Sequence, residues 1–143
     1  MALLAAGLIS LAVAIFHGVY VLRKLWNDPR YADKMVISFS RLPYSPAVHR
    51  GAVRASLLLT AMAATISVFF FAAAVSDLQG NEGRDAGSLV ALIALFLFLA
   101  CFATHLSIIW FNFPRQLALP SMREDTGMVI AAFRRRFSSA KGR

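Results

Sequence analysis

Two histidines stand where titratable residues are rare. His17 lies in the charge-free run 2–22 and His105 in the charge-free run 88–113. An ionisable side chain inside an apolar span is costly, which makes each a candidate for function. Two imidazoles at similar depth are able to hold a b-type haem iron at its axial positions. Either ring alone could instead serve a quinone or relay a proton. The structural alternative, and the preferred one, is a pair of neutral imidazoles hydrogen-bonded across helices, with Ser10, Thr60, Thr104 and Ser107 as available partners. His17 precedes Arg23 by six residues and His105 precedes Arg115 by ten. Those separations are roughly 9 and 15 Å along a helix, a difference that tilt absorbs.

Two basic groups offer a second kind of chemistry. His49, Arg50 and Arg54, with Tyr44 nearby, could hold a lipid headgroup or phosphate; the structural alternative is a set of side chains snorkelling at an interface. Arg134, Arg135 and Arg136 flank Ile130, Phe133 and Phe137, which share one helical face. That pattern suits a basic amphipathic helix drawn to anionic lipid, at about 1 kcal/mol per basic residue. The same run could simply fix orientation. Cys101, the single cysteine, excludes an internal disulfide and a zinc site built on several thiolates. One turn from His105, it reads as a small apolar residue. No HExxH, GxSxG, CxxC or phosphate-binding glycine loop occurs. All seven acids lie outside the apolar runs, which argues against an ion pump or a proton-coupled carrier. The balance favours a non-enzymatic protein for which no cofactor is expected.

The elements that must position these residues follow from composition. Hydrophobic residues make up 59% of the 143 and charged residues 15%, against roughly 45–50% and about 25% in soluble domains. The mean hydropathy is +0.65. These values predict an all-α membrane protein with three transmembrane helices, at about 2–22, 55–76 and 88–113. A run of 21 residues is roughly 31 Å of helix, which matches a hydrocarbon core of about 30 Å. Residues 1–113 form a transmembrane domain that includes the 23–54 loop, and 114–143 a basic tail. Short interfacial helices are expected in both the loop and the tail. In the loop, Asp28-Pro29 should open a helix that Pro43 and Pro46 end. In the tail, Ser121 and Glu124 read as a capping box. Residues 77–87 read as a polar turn.

Small residues should carry the packing between spans, because lipid supplies no hydrophobic force between helices. Span one has Ala6, Ser10, Ala14 and Gly18 at four-residue spacing, and span two has Ser56, Thr60 and Ala64. The function expected is a small subunit or scaffold packing against itself or a larger membrane complex. The alternative is a redox subunit holding haem or quinone through His17 and His105. Nucleic acid is not expected as a partner, since the basic residues flank spans and no binding motif accompanies them.

Lysine and arginine number seven in 23–54, one in 77–87 and seven from Arg115 onward. The positive-inside rule then puts the N-terminus outside and the C-terminus in the cytoplasm, in contact with anionic lipid. A reporter fused after Arg143 should be active only when it works in the cytoplasm. Activity confined to the outside would reverse the assignment.

Overall fold

The computed structural model describes residues 1–39, 43, 45–79 and 86–140, without the side chains of 39, 79 and 135–140. The described secondary structure is all helical. Seven α-helices run in order: α1 (Ala2–Phe16), α2 (Arg23–Asn27), α3 (Pro29–Phe39), α4 (Pro46–Arg54), α5 (Ser56–Gln79), α6 (Ala86–Phe111) and α7 (Met128–Ala140). Among the described residues, three stretches are long and apolar enough to cross a membrane: Ala2–Asn27, Ser56–Leu78 and Ala86–Phe111.

The first of these outruns its expected end at residue 22. A π-helical turn, His17–Leu22, joins α1 to α2. The helix continues through Arg23 and Lys24 because both are good helix formers; charge ends the apolar run, not the helix. The third stretch stops at Phe111 rather than 113. Asn112 adopts a left-handed conformation with φ 56°, which asparagine tolerates, and Phe113 precedes a proline that disfavours helix before it.

In the 23–54 loop, Asp28 caps α3 as expected: its Oδ1 accepts the Arg30 N–H at 2.9 Å. The Lys24 ammonium lies 5.8 Å from the Tyr31 ring centroid. The second half of the loop departs from expectation. Pro46 opens α4 instead of leading the chain out of a helix. Proline suits the first helical turn, where its missing N–H has no helical partner to lose. Ser121 and Glu124 do not form a capping box. Ser121 lies in a 3-10 turn, Pro120–Met122, and α7 begins only at Met128. Residues 80–85 of the expected 77–87 turn lie outside the described residues, as do the side chains of Arg135 and Arg136.

The chain forms two compact units, one of residues 1–21 and 58–103, the other of residues 22–57 and 104–143. In the first, α5 holds both neighbours. Ser67 Oγ donates to the Gly7 carbonyl at 3.0 Å, and the Ser76 and Ser88 hydroxyls meet at 2.9 Å. The buried residues here are mostly small: Gly7, Ala14, Ser67, Ala74, Ala91 and Ala94. They fall on stripes that alternate steps of three and four. Gly7, Ser10, Ala14 and His17 are one such stripe, and Thr60, Ala63 and Ser67 another, with Ala74 seven residues further along the same face. Of the residues in the expected four-residue ladders, Ser10, Ala14 and Thr60 fall on these stripes and Ala64 does not. In an α-helix each four-residue step turns about 40° past a full circle, so such a ladder drifts, although Gly18, in the π-helical turn, still lies against Thr60. Ala6 and Gly18 lie at the half-buried margins, and Ala64 is exposed while Ala63 takes its place.

The second unit is packed differently. Its core consists of Leu25, Ala32, Val53, Ala55, Ile108, Ala118, Leu119 and Met122, none more than 2% exposed, so larger side chains join small ones there. A side chain on Gly51 would meet Ile109 at 3.0 Å, so α4 lies close against the end of α6.

The stripe geometry separates two substitutions. A Cβ on Gly18 would sit 3.1 Å from Thr60 Cγ2, so Gly18→Leu should cost on the order of 1–3 kcal/mol. Ala64→Leu should fall within about 0.5 kcal/mol of the parent. Equal melting losses in mild detergent would refute the placing of Gly18 at the contact and Ala64 on the outer surface.

Candidate functional site

The polar side chains concentrate where helices end. α6 leaves its last carbonyls without backbone donors, as every helix does. Its final backbone hydrogen bond runs from Asn112 N–H to Ile108 O at 3.0 Å. Arg54, at the last position of α4 and 2% exposed, supplies a side-chain donor to this end, a second for Ile108 O and one for Ile109 O. Its Nη2 donates to Ile108 O at 2.8 Å and to Ile109 O at 3.3 Å. A cation at this end also complements the negative pole of the helix. In return, the Arg54 carbonyl accepts Leu119 N–H at 3.1 Å, which draws the chain beyond α6 back over α4.

Asn112 anchors that return. Its Nδ2 donates to the carbonyls of Arg123, at 2.9 Å, and of Asp125. Gly127 then crosses the end of α6 so closely that a Cβ would fall 2.4 Å from Trp110 O. Only glycine fits there. The return places Asp125 against α4, where its Oδ2 accepts from Arg50 Nε at 2.6 Å. That hydrogen bond raises the Arg50 guanidinium above its ordinary value. Burial lowers Arg54, partly countered by the charge of Asp125.

Arg50, Arg54, Asp125, Thr126 and Ala47 line a cleft of about 370 Å³. Arg54 Nε is buried without a hydrogen-bond partner among the described residues. His49, on the same helix, is 4% exposed. Of the expected headgroup residues, Arg50 and Arg54 share this cleft, His49 is not among its lining residues, and Arg134 is exposed on α7. Asp125, Asn112 and Gly127 were not legible as parts of it. Asn112 carries a usable signal, since asparagine two residues before proline is a helix-ending pattern. Asp125 and Gly127 carry none, because their roles depend on the return of the chain.

The two histidines belong to separate units. His17 Nδ1 meets Thr60 Oγ1 at 2.7 Å, and His105 Nδ1 donates to the Ala55 carbonyl at 3.2 Å. Ala55 is the junction between α4 and α5. His105 therefore serves a backbone group at a helix joint, as Arg54 does. His17 also lines a small apolar cleft with Val13, Leu59, Met62, Ala63, Ile66 and Phe98, of about 250 Å³. Among the described residues, no group of three His, Cys, Asp or Glu side chains is placed to hold a metal ion. No protein-family model, curated protein or solved structure matches the chain.

The capping role predicts unequal costs for the two arginines. Arg54→Met should lose on the order of 3 kcal/mol, because buried carbonyls lose a charged donor. Arg50→Gln, which removes a half-exposed ion pair, should lose no more than about 1 kcal/mol. Denaturant titration of both variants checks this, and similar losses would remove Arg54 from its central place.

Proposed function

We propose that the chain is a multi-pass membrane protein, a non-enzymatic subunit or scaffold with its N-terminus outside and its C-terminus in the cytoplasm. The observation that carries this reading is the contrast between the two cores. One unit buries mainly Gly, Ala and Ser and exposes large side chains such as Phe16 (61%) and Phe96 (64%). Helices in lipid associate in this way, through small residues and interhelical hydrogen bonds. The other unit buries Leu25, Ile108, Leu119 and Met122, as a core formed against water does. A change in what is buried is what a change of solvent along these helices would produce, and it supports the membrane reading. The seven-one-seven basic count supports the orientation, with Arg134 and its neighbours near anionic lipid.

The subunit reading rests on how the polar residues are used. Arg54, Asn112, Ser67 and His105 each donate to a backbone carbonyl, and His17 bonds to Thr60. They act as fasteners, and the apolar outer faces are left for lipid and for a partner chain or a second copy.

A second reading has one observation in its favour. His105 bonds through Nδ1, which leaves Nε2 as the lone-pair nitrogen of the neutral ring. His17 also bonds through Nδ1. Histidines that ligate metals hold their other ring nitrogen in this manner, which suits a redox subunit with b-type haem.

Purification in mild detergent separates the readings. The subunit reading expects one defined companion chain or a homo-oligomer, and no visible absorption band. A lone monomer would contradict it. A Soret band lost in both His17→Ala and His105→Ala would establish the haem subunit instead.

A further inference from the structure

The cleft beside Arg54 has an electrostatic imbalance that the capping role does not remove. Arg50 and Arg54 lie one turn apart on α4, and both line the cleft. Like charges at this spacing repel. Among the described residues Asp125 is the one carboxylate in the lining, so two arginines share the wall with a single carboxylate, with Asp33 acting on Arg50 from outside it. That carboxylate takes Arg50 Nε alone. Arg54 Nε, in a side chain 2% exposed, stays without a partner among the described residues. A buried donor of a charged group left unpaired is expensive and calls for an acceptor. Thr126 adds a hydroxyl to the same wall, and the volume of about 370 Å³ is within the range of small-ligand sites. Guanidinium forks match phosphate oxygens in geometry as well as charge.

We propose that this cleft binds a phosphate group, with Arg50 and Arg54 as the cationic walls and Asp125 as the internal anion that the phosphate competes with. The phosphate could come from a lipid headgroup or from a soluble phosphate. The cleft is built from residues just before the helix at Ser56 and just after the one ending at Phe111, which is the headgroup level if those helices span a bilayer. The lipid source therefore rests on the membrane reading; the phosphate chemistry does not.

The test uses the full chain in mild detergent, titrated separately with phosphatidylglycerol, phosphatidylcholine and inorganic phosphate at constant ionic strength. Binding is read by phosphorus NMR line broadening. Saturable binding of phosphatidylglycerol over phosphatidylcholine supports the proposal with a lipid source. Saturable binding of inorganic phosphate alone supports it with a soluble source. In either case Arg50→Gln should weaken binding about ten-fold or more, since it removes a charged donor. Asp125→Asn breaks the same ion pair but keeps both cations, so it should tighten binding. No saturable binding of either phosphate source overturns the proposal. So does an Arg50→Gln variant that binds like the parent. If Asp125→Asn weakens binding as much as Arg50→Gln, the ion pair only shapes the fold and the site is refuted.

Discussion

A helix that ends in a buried place leaves carbonyl oxygens that water cannot reach. At the end of α6 this constraint is met by one guanidinium, and the surrounding structure is arranged around it. Arg54 reaches Ile108 and Ile109 only because α4 lies against α6, and Gly51 permits that approach. The chain leaves α6 through the left-handed Asn112, whose amide then holds the 123–125 segment. Leu119 closes the loop on the Arg54 carbonyl. With Leu119 and Met122 brought inward, the unit gains its apolar core. Burying a cation costs solvation; here two carbonyl dipoles, the helix end and the nearby charge of Asp125 offset that cost.

The long helices solve a related problem with smaller groups. Small residues let backbones approach, and approach lets a hydroxyl reach a carbonyl already used by its own helix. Ser67 on Gly7 is the plainest case. His105 uses a larger ring on the Ala55 carbonyl, and His17 bonds instead to the Thr60 hydroxyl. The alternating steps of three and four follow from helical geometry, since their mean of 3.5 stays close to the 3.6 residues of a turn.

Much of this was legible in the sequence, for physical reasons that differ by element. The three long helices announced themselves by length and absence of charge, and Asp28-Pro29 by a local cap that needs nothing distant. Boundaries were less legible. Arg23 and Lys24 end an apolar run while favouring helix, so hydropathy and propensity point to different residues. α4 was hidden because Pro46 ends one helix pattern and begins another with equal ease. Ala64 was misplaced by a four-residue ladder whose drift only the contact face reveals. Arg54 was singled out as a headgroup residue, and its burial was not foreseeable. What buries it is the return of 112–127 over α4, and Asp125 and Gly127 carry no local pattern that specifies such a return.

The account depends most on the Arg54 guanidinium lying on the end of α6. Solid-state NMR of the chain reconstituted in lipid, with nitrogen-15 in arginine side chains and carbon-13 at the isoleucine carbonyls, addresses this contact directly. The account expects a short-range dipolar contact between an arginine Nη and the Ile108 carbonyl carbon, absent from the Arg54→Met sample. An Arg54 side chain with no such contact and the rapid motion of a solvated arginine would contradict it.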